Sequence, residues 1–315
     1  MSEGSSLSPP PGSPAAPVEP PHSFNDYVTL TKPGITGLIV AVGVAGYFLA
    51  SPAPIRIAPL LWLVLFGASA SAGAATLNHY FDRDVDALMS RTRLRPLPDH
   101  RIDPDVRVLY AGLILSAFGV GGAALLINLL TAFAILLGGL TYVVVYTMWL
   151  KRRSSWNIVV GGFAGSAPAL AGSAAAVGHF TPGALALALV LFLWTPPHFW
   201  SLALLLRNDF RAAGLPMLPD MEDPVRSGRV VLVSAALLLP ATLLLAVVGP
   251  QPLAADVALV ALGVLFVALA APLAREVQRP IARRAFIYSG IYLLSFLVAL
   301  IVAGVYAHPS FVLGL

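Results

Sequence analysis

Residues 78–98 read NHYFDRDVDALMSRTRLRPLP: an amide and three carboxylates in nine residues, then three arginines in five. On a helix, Asn78, Asp82 and Asp86 stand at i, i+4 and i+8. They drift only about 80° around the axis and share a face, while Asp84 points away and His79 sits beside them. Two carboxylates and an amide offer hard oxygen ligands, a Mg²⁺ pattern rather than a zinc one, and Mg²⁺ usually shares its shell with substrate phosphates. Arg91, Arg93 and Arg95 follow, and guanidinium forks match phosphate oxygens. Acids for a metal and cations for phosphate together point to a bound diphosphate. The alternative is a set of solvated loop charges with a topogenic role, and Arg101 and Arg107 are read that way. Four-spaced acids such as Asp82 and Asp86 gain nothing structurally from mutual repulsion.

A second polar cluster, Arg207, Asn208 and Asp209, lies in PPHFWSLALLLRNDFRAAGLPMLPD. Between the two clusters, TYVVVYTMWLKRRSSWN places Tyr142 and Tyr146 on one face and closes with Lys151 and Arg152. The tyrosine pair is either an interfacial belt or packing feature, or a pair of polarisable rings suited to a developing carbocation. His198 stands nine residues before Arg207, about 13 Å inside the helix end at 1.5 Å per residue. It follows Pro196-Pro197, which should kink the helix and free backbone carbonyls. Its imidazole either satisfies one of those carbonyls or contacts a bound cofactor or its iron.

The elements that must position these residues are membrane helices. The chain has 315 residues, 58% hydrophobic and only 11% charged, against about a quarter charged in a soluble domain. Nine apolar spans are expected at roughly 34–50, 60–82, 107–127, 129–149, 156–177, 183–206, 230–249, 253–273 and 286–306, most near the ~20 residues that cross a bilayer. Nothing alternates as barrel strands would. The fold class is therefore all-α and polytopic. Residues 1–24 read as a disordered Ser/Pro-rich tail and 25–315 as one intramembrane domain. That tail lacks the plan of a signal or transit peptide, which favours a bacterial inner membrane. With no cysteine, thiolate chemistry and disulfides are excluded. Of the 19 Lys and Arg residues, all but Arg56 fall on one side of the nine-span arrangement. The positive-inside rule then puts the N-terminus in the cytoplasm and the C-terminus in the periplasm. The net charge of +4 needs no nucleic-acid partner.

With these residues assembled, the sequence resembles the UbiA-like intramembrane aromatic prenyltransferase superfamily. Its first signature, N-D-x-x-D-x-x-x-D, is met by Asn78, Asp82 and Asp86. The branch that acts on haem continues as MSRTRLRPL does here, from Met89 to Leu97. Further blocks similar to that branch are YTMWLKRRSSWNIVVGGFAGSAPALAG (146–172), WTPPHFWSLAL (194–204) and AAGLPMLP (212–219), and the likeness spans roughly residues 25 to 306. His79 departs from the second residue of the first signature. The superfamily's second signature, D-x-x-x-D, survives only as Asp209 with Asn208 beside it, and PDHRIDP replaces a Gly-containing turn.

The resemblance implies a nine-helix bundle around a central cavity with a cytoplasmic cap of loops. It implies transfer of farnesyl from farnesyl diphosphate to a haem B vinyl group, with addition of water. Mg²⁺ would be held by Asn78, Asp82 and Asp86, with Asn208 and Asp209 at the second cluster. Arg91, Arg93, Arg95, Lys151, Arg152 and Arg207 would bind diphosphate. Asp82, Asp86, Asp209 and Lys151 would be catalytic, Asp209 by orienting or deprotonating the water. Tyr142, Tyr146, Trp194 and His198 would line the pocket. The lipid bilayer is the surroundings and haem A synthase a candidate downstream partner. Another aromatic acceptor, a hydroxybenzoate or quinone precursor, is the rival within the superfamily. A secondary transporter is the rival outside it, and would gather its polar residues near the bilayer midplane.

Overall fold

The structure, a computed structural model, describes residues 23–52, 54–103 and 105–306. Most of the Ser/Pro-rich tail and the C-terminal nine residues lie outside the described residues. Ser23 and Phe24, assigned to that tail, instead open a short helix, α1 (Phe24–Leu30), where Ser23 and Asp26 form a capping box that satisfies two otherwise orphaned amides.

Among the described residues, nine helical segments are long and apolar enough to span a membrane. They comprise α2 (Pro33–Ala50), α3 (Ile57–Leu88), α4 (Val106–Leu126), and α5 (Leu129–Leu140) continued by a π-helical stretch (Thr141–Leu150). The short α6 (Asn157–Gly161) leads into α7 (Phe163–Val177), followed by α8 (Pro182–Leu205) and then α9 (Arg207–Ala212), a short helix outside the spans. The remainder are α10 (Pro224–Ala236) with α11 (Leu238–Val248), α12 (Leu253–Ala270) with a 3₁₀ turn (Ala271–Ala274), and α13 (Arg279–Tyr306). The division between the third and fourth spans falls at Asn128, whose side chain caps α5 by accepting from Thr131 N at 2.8 Å. The seventh span divides at Leu237, three residues before Pro240, whose ring lacks the N–H to continue the ladder.

Two departures from the expected boundaries matter for function. Helix α3 runs to Leu88 rather than 82, so Asp82 and Asp86 both sit on ordered helix. The fourth span finishes as a π-helix, in which main-chain bonds link residues five apart.

Apolar surface facing lipid gives helices no hydrophobic reason to associate, so close van der Waals fit must do it. The small residues of α7 supply that fit against α2: a Cβ on Gly172 would lie 2.0 Å from Gly43 O, too close to exist. GGFAGSAPALAG thus serves packing at this contact. Helix α8 runs through the interior, touching α2, α7, α10, α11 and α13. At the opposite edge α3 packs on α2, α4 and the π-helical stretch. Asp82, Asp86, Arg91, Arg93, Arg95 and Lys151 fall at the ends of these helices nearest α1, where Leu30, Leu97, Ile102 and Val108 form a small apolar core beneath the loop after α3.

Candidate active site at the charged end of the bundle

Asn78, Asp82 and Asp86 are all buried, with the carboxyl residues 1% exposed. Buried charges persist only when paired, and each has a different partner. Asp82 Oδ2 accepts from Lys151 Nζ at 2.5 Å and from Asn78 Nδ2 at 2.7 Å. Asp86 Oδ2 accepts from Arg95 at 2.6 Å. Asn78 Nδ2 also donates to Thr147 Oγ1 at 2.9 Å, and its carbonyl accepts from Lys32 Nζ at 2.5 Å. One oxygen is left over: Asp82 Oδ1 is buried and has no partner. His79 is buried beside this cluster, with Nδ1 unpartnered.

The π-helical stretch delivers the other wall. Thr147 Oγ1 donates to Tyr142 O, five residues back, at 2.8 Å, and Lys151 N donates to Tyr146 O at 2.9 Å. The widened turn thereby sets Thr147 above Tyr142 and Lys151 above Tyr146, facing α3. The tyrosine rings stack with centroids 5.9 Å apart and planes at 9°. Gly161 makes room for Tyr146, since a Cβ there would lie 2.7 Å from its ring. Tyr142 OH accepts from Lys32 Nζ at 3.1 Å, so the pair belongs to the cluster rather than to an outward belt.

The basic residues divide. Lys151 and Arg95 are bound to the acids, while Arg91 and Arg93 make no side-chain hydrogen bond or ion pair among the described residues. Arg152 does not join them: its fork grips Asp84 at 2.6 and 2.7 Å on the exposed outer side. Asp84 faces away from Asp82, and Arg152 follows it. Arg207 is likewise elsewhere, donating to Met221 O at 2.8 Å, and with Asn208 it lines a recess of about 180 Å³. Asn208 is exposed there. Asp209 does approach the first cluster, through Ser90 Oγ at 2.9 and 3.0 Å from its two oxygens.

Farther into the bundle, α8 remains helical through Pro196-Pro197, and His198 does not satisfy a carbonyl of its own helix. Its Nδ1 lies 2.6 Å from Ser289 Oγ on α13. Ser289 has one hydroxyl proton and donates it to Phe286 O at 2.6 Å, so the imidazole is assigned Nδ1–H, which leaves the Nε2 lone pair available. The ring stacks on Trp194 at 4.2 Å and 19°, and lies 5.0 Å from Phe286. Trp194 Nε1 in turn donates to Ser289 O at 2.9 Å.

Two participants had no sequence signal as chemistry. Lys32 reads only as a topogenic charge, although a basic residue directly before Pro33 at the mouth of a span is a usable cue. Its ammonium end is enclosed; this desolvation, with the Arg95 charge nearby, pulls its pKa down to about 8. Ser289, the fixer of His198, has no local signature.

Among the described residues, no three His, Cys, Asp or Glu side chains gather closely enough to make a metal site alone. The cluster still fits a Mg²⁺ that takes most of its shell from water and phosphate, because Asp82 Oδ1 is a buried acceptor without a donor. Asn208 is turned away, and Asp209 shares the single proton of Ser90 Oγ between its two oxygens, so the second cluster brings one carboxylate and no amide.

The profile of the UbiA prenyltransferase family matches residues 39–291. Proteins named protoheme IX farnesyltransferase are similar along most of the chain. That of Brucella ovis is 40% identical over 274 residues, covering 85% of this chain and 86% of its own. That of Symbiobacterium thermophilum is 45% identical over 221 residues, covering 70% and 73%. Against the namesake of Roseiflexus sp. the identity is 38% over 282 residues, 90% of this chain, and the match spans only about half, 53%, of that relative's length. Among solved structures, one described as digeranylgeranylglyceryl phosphate synthase superposes with a TM-score of 0.75 at 19% identity, covering 90% of this chain and 99% of that one. A UbiA homolog from Archaeoglobus fulgidus bound to DMAPP and Mg²⁺ gives 0.68 at 17%, covering 88% and 99%. These two likenesses speak to the fold.

Proposed function

The chain belongs to the UbiA prenyltransferase family, and from that membership and the geometry of its charged end we propose that it transfers farnesyl from farnesyl diphosphate to a vinyl group of haem B. The observation that carries the diphosphate half is Asp82: a buried carboxylate with one oxygen held by Lys151 and the other without a partner. The names of the similar proteins support haem as acceptor.

In this reading the diphosphate lies against Lys151, Arg95 and the unpaired Arg91 and Arg93. Their charges oppose the negative charge that grows on the leaving group as the C1–O bond breaks, so they act most strongly in the transition state. Asp82 would hold Mg²⁺ through its unpartnered Oδ1, while Asn78, whose carbonyl accepts from Lys32, orients Asp82 Oδ2 and Asp86 keeps Arg95 in place. When bound, that ion supplies further positive charge to the departing oxygens. The stacked faces of Tyr142 and Tyr146 stabilise the allylic cation, as aromatic faces do for cations generally.

The cation adds to the terminal carbon of the vinyl group, and positive charge moves to the carbon next to the porphyrin. Water adds there and loses one proton, leaving a hydroxyethylfarnesyl substituent and free diphosphate. We assign the proton to Asp209. Trp194, His198 and Phe286 form the aromatic wall for the porphyrin, with the Nε2 lone pair of His198 available to its iron. Haem A synthase is the candidate to take the product. Eighteen basic residues at one end of the spans support a cytoplasmic position for that end.

The test is an acceptor panel. Full-length protein in nanodiscs receives farnesyl diphosphate and Mg²⁺ with either haem B or 4-hydroxybenzoate. The expected result is a haem adduct heavier by farnesyl plus hydroxyl. A prenylated hydroxybenzoate and unchanged haem would reverse the acceptor assignment.

A further inference from the structure

Three cations meet four oxygen acceptors at the charged end, and they are not equivalent. Lys151 and Arg95 each hold a buried carboxylate, Asp82 and Asp86. Lys32 holds only neutral groups: the Asn78 carbonyl at 2.5 Å and the Tyr142 hydroxyl at 3.1 Å, with the Tyr142 ring centroid at 5.8 Å. The Asn78 amide cannot be reversed without loss, because Nδ2 serves both Asp82 Oδ2 and Thr147 Oγ1. No carboxylate touches this ammonium, although Asp82 and Asp86 lie close enough to feel its charge, and in a medium of low dielectric a cation without a direct anionic partner draws an anion.

The backbone shows that this position is enforced. Lys32 has φ 47° and ψ 64°, a left-handed conformation that a non-glycine residue rarely adopts without surrounding structure to hold it. Pro33 follows and disfavours the right-handed alternative for the residue before it. What keeps it there is α1. Asp26, 4% exposed, is paired with Arg101, and Leu30 packs with Leu97, Ile102 and Val108. Arg101 and Leu97 belong to the loop that carries Arg91, Arg93 and Arg95, so Lys32 and those arginines are positioned as one body. Lys32 also stands at the N-terminal position of α2, whose dipole adds positive potential at the same spot.

We propose that Lys32 is a further diphosphate-binding residue, aimed by Asn78 and Tyr142 and delivered to the site by the α1–α2 turn. This rests on the prenyl diphosphate reading above and adds a contact from an element outside both acidic signatures.

The test uses the full chain in phosphatidylcholine nanodiscs with Mg²⁺, titrated with farnesyl thiolodiphosphate and, separately, with uncharged farnesol. Lys32→Gln keeps a donor for Asn78 and removes the charge; Lys32→Met removes both, should the glutamine variant fail to insert. The expected result is roughly a tenfold or larger loss of thiolodiphosphate affinity, unchanged farnesol affinity, and recovery of most of the loss in Lys32→Arg. Thiolodiphosphate binding equal to wild type in Lys32→Gln would overturn the proposal. So would a parallel loss of both probes, the mark of a purely structural lysine. If wild-type protein itself binds no thiolodiphosphate, the prenyl diphosphate reading fails and takes this one with it.

Discussion

The two ends of the bundle use the same residue types to opposite effect. At the end where α2 and α7 finish and α3, α5 and α8 begin, Asn128 donates to Ala174 O at 2.8 Å and caps α5 with its carbonyl. Arg56 donates to Ala176 O, and Tyr47 OH donates to Arg56 O at 2.6 Å. Ser173 Oγ binds His179 O at 2.9 Å and accepts from Thr181 N. Each of these side chains closes a main-chain group at a helix terminus. At the charged end Asn78, Arg95, Lys151 and Tyr142 are bonded instead to side chains, and a carboxylate oxygen is left open. A main-chain carbonyl cannot leave its helix, so the first arrangement is fixed. An ion pair can exchange one partner for a metal or a phosphate, and the second arrangement is chemically available.

That contrast predicts a gradient of effects. The largest belongs to Asp82→Asn: turnover should fall by roughly 10² or more, the scale for losing a transition-state electrostatic contact, with insertion intact by detergent chromatography. Near-normal turnover would mean that the open oxygen has no task.

Next comes a split between neighbours. Lys151→Met should weaken farnesyl thiolodiphosphate binding by roughly ten- to a hundredfold, the value of about 1.5–3 kcal/mol for a charged contact. Arg152→Ala should change it by less than about twofold, because its exposed pair with Asp84 is of the kind that contributes little. Equal losses at both positions would return Arg152 to the site.

Smaller again is His198→Ala. Haem affinity should drop several-fold with a shifted Soret band, while thiolodiphosphate binding holds. An unchanged spectrum would remove the histidine from the porphyrin wall and leave the acids untouched.

The smallest effect on chemistry is expected at the other end. Asn128→Ala loses a cap worth about 1 kcal/mol, so thermal stability should decrease while turnover stays within about twofold. A turnover loss matching that of Asp82→Asn would erase the distinction between the ends.

How much of this was legible beforehand follows the range of the interactions. The common face of Asn78, Asp82 and Asp86 is a helical period, visible within nine residues, and the nine spans follow from apolar runs. The Tyr142–Tyr146 pair was likewise local, but the π-helix was not, since it depends on Thr147 turning back to Tyr142 O. Pairing across the bundle left no local trace. Arg152 and Lys151 are adjacent and alike in sequence, yet one faces Asp82 and the other Asp84. Lys32 meets Asn78 across 46 positions, and Ser289 fixes His198 across 91. The doubled proline left two partners open for His198, a carbonyl of its own helix or a bound cofactor; tertiary packing sets its Nδ1 against Ser289 of α13 instead.

The central claim is that a metal and a diphosphate come together at the open oxygen of Asp82. Its most direct test is the Mg²⁺ dependence of farnesyl thiolodiphosphate affinity in nanodiscs, measured side by side for wild type, Asp82→Asn and Asn128→Ala. The account predicts Mg²⁺-enhanced binding in wild type and Asn128→Ala, and its loss in Asp82→Asn. The same Mg²⁺ enhancement in all three proteins would contradict it.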